Sequence, residues 1–371
     1  MRRWPLSAGL VVAALAACGL LAAAGTPPPE AAGDQAMPGL HRQIPEAARQ
    51  YVQPQQFRSP LTKEGFSANV VKTAPPVASY DYDFCPHPPF NTLAYTMVTD
   101  PASGWTALPD EFAYCPFSAD QLKQILGAPK FNRKAPDGLP WLDPYPWEQF
   151  ENAALLSAAA KQSPLTVGNL YMEAAWSVRL DVVSGTNDFD AEVAALFKPL
   201  PRRPSDPADM HTLYEMQLAH AWEQDRAGGV LKDVSPTRFA LAMAWLYRSR
   251  GELAGAEHWL DEGLASDPQL GKGGGLYSFL RSSIRLERTY LRQAQAQFSA
   301  AWEAHLQPQQ PVAIDASREG LTAFALAEIS RRLGDLPAAR SWYAEAEKTN
   351  YGTLKSDQLQ YLEQLANGRG Y

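Results

Sequence analysis

The sequence predicts a mainly α-helical chain: a solenoid of helical hairpins over residues 146–371, preceded by a small disulfide-closed α+β module and a disordered, proline-rich tether. Three observations lead there. From Trp147 onward the apolar residues recur at helical spacing, with Ser-Pro start signals at Ser163-Pro164 and Ser235-Pro236, where Ser caps and Pro fits the first turn. The chain holds 31 prolines, too many for a continuous helical array, and they crowd into residues 26–76 and 86–146, with a further knot at Pro199, Pro201, Pro204 and Pro207. Hydrophobic residues make up 46% of the 371 and charged residues 20%, so most of the chain can bury a core. Four segments follow: an export signal at 1–24, a linker at 25–77, a cysteine-bearing module at 78–145 and the helical domain at 146–371.

The export signal rests on the positive start Met1-Arg2-Arg3 and the uncharged apolar run from Trp4 to Ala24. Leu15-Ala16-Ala17-Cys18 resembles the bacterial lipobox, which implies that Cys18 becomes the lipid-bearing first residue of the mature chain. Cleavage after Ala22-Ala23-Ala24 and an uncleaved membrane anchor stay open as alternatives, because the run also satisfies the small-x-small rule and approaches the length of a span. The twin Arg lacks the polar and basic neighbours of a twin-arginine signal. All these readings place the bulk of the chain outside the cytoplasm, on the periplasmic or outer face of a bacterial membrane. Beyond the signal, Thr26-Pro27-Pro28-Pro29 through Pro54, Pro60 and Pro75-Pro76 shows no sustained apolar period, so a semi-extended tether is expected, with at most a helical turn or two around Ala47 and Ala48.

Three cysteines occur, and two of them stand in matched settings, Phe84-Cys85-Pro86 and Tyr114-Cys115-Pro116. Between them, residues 90–98 have strand composition, and Trp105 to Leu108 can pair with them across the turn at Asp100-Pro101. In an oxidising compartment a Cys85–Cys115 disulfide is expected, closing a loop of about 30 residues and contributing roughly 3 to 4 kcal/mol through lost chain entropy. The twin Cys-Pro pattern over residues 80–126 also resembles an uncharacterised bacterial family in which Cys-Pro-x-Cys knuckles precede tetratricopeptide-like helices, and the run Ala244-Trp245-Leu246-Tyr247-Arg248 extends that likeness. The resemblance implies a zinc site, but the second ligand of each knuckle would fall at Pro88 and Ser118. Only Cys85, Cys115 and His87 remain as donors, fewer than structural zinc requires, so no metal and no cofactor is expected. After the second cysteine, Ser118-Ala119-Asp120-Gln121 reads as a capping box opening a short helix to Leu126.

Within the helical domain the clearest unit runs from Pro236 to Pro268 with Gly251 as its turn, and Ala244, Tyr247, Ala256, Leu260, Gly263 and Pro268 occupy its packing positions. A second unit centres on Gly334, with Ala327, Ala339, Tyr343 and Ala346 in the corresponding places, and Ala294, Phe298 and Ala301 suggest a degenerate unit between them. This arrangement of small and large residues resembles the tetratricopeptide repeat, whose period is about 34 residues, and Ala175-Trp176 and Ala244-Trp245 lie 69 residues apart. The resemblance implies a groove lined by the first helix of each pair and a role in binding peptide segments.

Trp176, Arg179, Arg238, Trp245 and Arg248 form the candidate binding face, because Trp and Arg are the side chains that most often carry binding energy. The competing reading makes both Trp core residues and both Arg of the Trp-x-x-Arg pairs solvated. Arg281, Arg285, Arg288 and Arg292 form a stripe on one helix that could meet an acidic peptide or lipid phosphates, or be a wet face. That stripe conflicts with the degenerate unit, whose register would bury Arg281 and Arg285, unless the helix is an insertion after the loop Gly271-Lys272-Gly273-Gly274-Gly275.

The six histidines, His41, His87, His211, His220, His258 and His305, show no metal-hydrolase spacing, and neither a nucleophile elbow nor a phosphate loop is present. Net charge of −7 argues against nucleic acid as a partner. The expected function is a lipid-anchored scaffold of the cell envelope that binds protein partners and is not an enzyme, with a thiol-redox or metal role at Cys85 and Cys115 as the alternative.

Overall fold

The computed structural model describes residues 44, 46–77, 79–81, 83–127, 144–185, 234–249, 251–272, 276–307, 314 and 316–349, all within one compact unit, residues 36–371. Cys18, the export signal, the first part of the linker, the proline knot, His41, His211 and His220 lie outside the described residues. Among those described, no helix is long and apolar enough to cross a membrane.

The chain is mainly helical with small antiparallel strands at its N-terminal side. A 3-10 turn at Glu46–Ala48 leads into β1 (Val52–Arg58) and β2 (Gly65–Val71), an antiparallel ribbon in the register Val52↔Val71 to Arg58↔Gly65. This corrects the tether expected through residue 77. Pro54 is accommodated because a two-stranded ribbon consists of edges, where a missing N–H is tolerated. Most of β1 faces water on both sides, so it has no apolar alternation to read. Phe57 and Phe66 pair across the strands and meet Phe112 edge-on at 5.4 and 5.6 Å, fixing the ribbon to the module.

Next come β3 (Ser79–Tyr80) and β4 (Pro86–His87), paired as a minimal hairpin, then a 3-10 turn at Thr92–Tyr95, and β5 (Val98–Thr99) paired with β6 (Thr106–Ala107). The β5–β6 pairing across Asp100-Pro101 is as expected, although the strand is confined to the end of the 90–98 segment. Buried Asp100 holds this turn: its carboxylate accepts from Ser59 Oγ and Ser103 Oγ, both at 2.6 Å, and from the Ala102 N–H at 3.0 Å. Helix α1 (Ala119–Leu126) opens with the expected capping box, Ser118 Oγ accepting from Gln121 N–H while Gln121 Oε1 accepts from Ser118 N–H.

Among the described residues seven further helices follow: α2 (Pro146–Ala159), α3 (Pro164–Gly185), α4 (Pro236–Ser249), α5 (Leu253–Ser266), α6 (Leu276–His305), α7 (Ala316–Arg332) and α8 (Leu336–Lys348). They pair as α2 with α3, α4 with α5 and α7 with α8, while α6 lies mainly along α3. The three hairpin turns share one backbone solution. In each, a residue at positive φ ends the first helix, Lys161 at 58°, Gly251 at 71° and Gly334 at 87°. Its N–H donates to the carbonyl three residues back, and the next N–H to the carbonyl five back: Gln162 to Ser157, Glu252 to Tyr247 and Asp335 to Ser330. These paired bonds satisfy carbonyls that a helix end would otherwise leave open.

The expected packing residues Ala244, Tyr247, Ala256, Leu260, Gly263, Ala327, Ala339, Tyr343 and Ala346 are all buried, while Pro268 begins a short 3-10 turn outside the core. Gly255 carries no Cβ because one would strike the Tyr247 ring, which lets α4 and α5 approach. The degenerate third unit is corrected. Ala294, Phe298 and Ala301 are buried, but on the single uninterrupted helix α6, with no turn between two shorter helices.

Two apolar cores are shared across the expected module boundary. Leu156 of α2 joins Val98, Trp105, Phe112 and Leu122 of the module, and Met97 joins the main helical core, against which Phe84, Leu93 and Leu108 also pack. The described residues of the segment 78–145 and the helices therefore pack as one body.

Candidate functional site

A charged network lies at the centre of that body. Arg179 projects from α3, Arg248 from α4, Glu287 and Ser283 from α6, Glu328, Arg331 and Arg332 from α7, and Glu252 from the α4–α5 turn, all of them buried. Into this seat the β3–β4 hairpin inserts its tip, and the two buried carboxylates Asp81 and Asp83 come with it. The tip is closed by Asp81 N–H donating to the Cys85 carbonyl at 2.9 Å and by Phe84 N–H donating to the Asp81 carbonyl at 2.9 Å. Phe84 takes φ of 67° and sets its ring 5.3 Å from that of Phe324 on α7.

Arg179 is the hub. Its Nη1 donates to Asp81 Oδ2 at 2.7 Å and to Asp83 Oδ1 at 3.0 Å, and its Nη2 donates to Asp83 Oδ2 at 2.8 Å and to Glu287 Oε1 at 2.6 Å. The other Glu287 oxygen accepts from Arg248 Nη1 at 2.5 Å, while Arg248 Nε donates to Ser283 Oγ at 2.8 Å. Arg332 Nη2 lies 3.3 Å from Asp83 Oδ1, and its Nε lies 3.6 Å from Glu328 Oε2. Arg331 closes the far end, with both Nη atoms on Glu252 at 2.6 and 2.8 Å and two further bonds to Glu328, whose carboxylate also accepts from Tyr343 Oη. Trp176 Nε1 donates to Asp83 Oδ2 at 3.1 Å, and His87 Nε2 lies 2.9 Å from Asp81 Oδ1.

The charges nearly cancel. Four guanidiniums face five carboxylates, and His87, when protonated, brings the two to equality. Burial pushes Asp83 up, but the Arg179 and Arg332 guanidiniums outweigh it and hold its carboxyl well below the ordinary range. Asp81 is also lowered: burial opposes ionisation, and its bond with His87 and the charge of Arg179 prevail. Burial likewise opposes ionisation of Glu252, and Arg331 overrides it. Burial draws Arg179 down, yet Asp83 and Glu287 carry it well above its usual value. Arg248 goes the other way, lowered chiefly by burial because Glu287 offsets only part of the cost.

One glycine makes the convergence possible. A Cβ on Gly251 would fall onto the Arg332 and Arg179 guanidiniums, and its φ of 71° is strained for any side chain. The turn of the second hairpin thus has a backbone reason and a site reason to be glycine.

The expected binding residues are distributed differently from the single face read in the sequence. Trp176, Arg179 and Arg248 belong to the seat, where the two arginines are neither solvated nor open to a partner but already paired inside the chain. Trp245 is buried in the main core, and Arg238 is exposed on the first turn of α4. The Arg stripe of α6 divides. Arg281 pairs with Asp261 at 3.0 Å and Arg288 with Glu257 at 2.5 Å, joining α6 to α5, while Arg285 and Arg292 are exposed.

The expected disulfide is corrected as well: Cys85 and Cys115 are free thiols. They belong to different surroundings despite matched neighbours. Cys85 is buried beside the seat, its N–H donating to Asp83 Oδ1 at 3.3 Å, whereas half-buried Cys115 packs with the Trp105 and Phe112 core and points its Sγ at the Phe117 carbonyl, 3.4 Å away. Burial pushes both thiols up, Cys85 strongly. Among the described residues no three His, Cys, Asp or Glu side chains are grouped so as to hold a metal ion.

Sequence reading missed Asp81, Asp83, Glu252, Glu287, Glu328, Arg331 and Arg332. The signal that could have found them is the setting of Arg179, inside the apolar run Ala174-Ala175-Trp176-Ser177-Val178-Arg179-Leu180, and of Arg248, which ends Ala242-Met243-Ala244-Trp245-Leu246-Tyr247. A cation on so apolar a helix must be buried, and a buried cation requires a carboxylate from elsewhere. No protein-family model, curated protein or solved structure matches the chain.

Proposed function

We propose that the protein is an exported, lipid-anchored scaffold of the bacterial cell envelope, in which tetratricopeptide-like hairpins hold a peptide segment of a partner protein. The observation that carries this is the seat itself: Arg179 and Trp176 of α3 and Arg332 of α7 grip a short acidic hairpin by its carboxylates, while Glu287 of α6 and Arg248 of α4 hold Arg179 from the other side. That is the chemistry of peptide capture, performed on a segment of the same chain. Further support comes from Arg285 and Arg292, which are exposed on α6 and offer positive charge to an acidic partner surface. Catalysis is not proposed, because the seat's charges are buried and committed to one another. A thiol-redox role at Cys85 is disfavoured by a buried thiol held in its neutral form.

The test is cross-linking in intact cells followed by purification under denaturing conditions, comparing the wild-type chain with Arg285→Glu/Arg292→Glu. Capture of a discrete envelope partner by the wild type, reduced at least several-fold by charge reversal at equal expression, is the expected result. An identical partner profile for both chains would remove the exposed arginines from the proposal, and an empty profile would remove the scaffold. Incorporation of labelled lipid, abolished by Cys18→Ala, tests the anchor.

A further inference from the structure

We infer that the arginine seat is a recognition site for an acidic turn of the type Asp-x-Asp-aromatic, and that the β3–β4 hairpin occupies it as an internal ligand that an external turn of the same chemistry can replace. This rests on the scaffold proposal and names what the scaffold recognises.

Four features support a replaceable occupant. The bound element is small and local: two-residue strands hold the hairpin together, and a hairpin of that size has little stability of its own away from its seat. Its tip is strained, since Phe84 adopts the left-handed conformation that residues with a Cβ avoid, and it keeps that conformation while Phe84 packs on Phe324. Its stem reaches solvent at Tyr80, which is 57% exposed, so the hairpin is not enclosed on every side. Finally, the seat is ionic where an apolar one would serve stability as well or better. Buried ion networks gain little over well-packed apolar residues, and their attested advantage is in specifying a partner or a register.

The seat defines its ligand closely. Arg179 takes both oxygens of one aspartate and one oxygen of the aspartate two residues earlier, so a single guanidinium reads the Asp-x-Asp spacing of the hairpin. Trp176 Nε1 adds a donor to the second aspartate, and Phe324 receives the aromatic residue that follows it.

The test uses the full chain carrying Asp81→Asn/Asp83→Asn, which empties the hairpin of charge while keeping its shape, and a fluorescent synthetic peptide of residues 79–88 with Cys85→Ser. Fluorescence anisotropy reads binding and circular dichroism reads helix content. The expected result is peptide binding at least about tenfold tighter for the double variant than for the wild-type chain, whose seat is filled, and no binding of a peptide with both aspartates changed to asparagine. Should the double variant lose its helices, their recovery on adding the acidic peptide, and not the asparagine peptide, equally supports replacement in trans. A folded variant that ignores the acidic peptide, or binds both peptides alike, overturns the inference. So does an unfolded variant that neither peptide restores, since the hairpin would then be a permanent part of the core. The partner profile of the wild-type chain, read separately by cross-linking, tells failure here from failure of the scaffold proposal.

Discussion

Arg179 and Asp83 form a bidentate ion pair, 3.0 and 2.8 Å, with both side chains buried, and through it the N-terminal hairpin is bonded to the third helix. Removing one partner leaves the others uncompensated in a medium of low polarity. Arg179→Met should therefore destabilise the chain by about 3 to 5 kcal/mol, since Asp81, Asp83 and Glu287 would all lose a guanidinium. Urea denaturation followed by far-ultraviolet circular dichroism measures it. The double variant Arg179→Met/Asp83→Leu should recover part of the loss, because the leucine needs no counter-charge and Arg332 keeps Glu328, whereas a loss under about 1 kcal/mol for the single variant would mean that water reaches the seat.

Gly251 and Gly334 occupy equivalent turns and should respond differently to the same substitution. A Cβ at Gly334 meets nothing within 4 Å, so Gly334→Ala bears only the left-handed backbone, a cost of roughly 1 to 2 kcal/mol. Gly251→Ala bears that cost and also displaces two guanidiniums from their carboxylates, so its loss should exceed that of Gly334→Ala by about 3 kcal/mol. Thermal melts of the two variants side by side decide this, and equal shifts in midpoint would refute the close approach of Arg179 and Arg332 to the turn.

What could be read in the sequence was what the local backbone dictates. Ser163-Pro164 and Ser235-Pro236 start helices where they should, Ser118 and Gln121 cap α1, and Gly251 and Gly334 turn their hairpins, because each of these depends on residues a few positions apart. The ribbon at 52–71 escaped because a two-sided wet strand such as β1 carries no alternation. The cysteine settings misled because identical neighbours do not fix burial, and the aromatic-Cys-Pro sequence at Tyr114 is on the surface, with Tyr114 itself 80% exposed. The seat escaped because its members are spread over residues 81–332, and only the fold brings them together. One consequence concerns Trp245 and Arg248. Read as an exposed face, their joint change to alanine should spare the helices; being buried, it should unfold them.

Thiol labelling separates the two cysteines. With the native chain in an excess of iodoacetamide at neutral pH, Cys115 should be modified slowly, since its thiol is half-buried and raised, and Cys85 should be protected until the chain unfolds. Mass spectrometry of tryptic peptides reads both rates. Equal labelling of the two would show that the hairpin leaves its seat on the labelling timescale, and a mass two units low for the linked peptides would show the disulfide instead.

Stability should pass through a maximum on the acid side of neutrality, because two sets of carboxyls titrate with opposite sign. Asp81, Asp83 and Glu252 have folded values below their ordinary ones, so the stability they contribute is present above the ordinary carboxylate range of about pH 4 and is lost as pH falls through the depressed values. Glu173 on α3 is pushed up to about 7 by burial, with no cation among the described residues set against it. For that group the unfolded chain releases its proton first, so stability declines as pH rises from about 4.5 to about 7. Denaturation midpoints measured from pH 3 to 8 should therefore rise to a maximum near about pH 5 and then fall, and Glu173→Gln should flatten the upper limb while leaving the acid limb in place. An upper limb unchanged by that substitution would assign the decline to another group, and an acid limb that begins above pH 5 would mean that the guanidiniums do not hold the seat's carboxylates ionised.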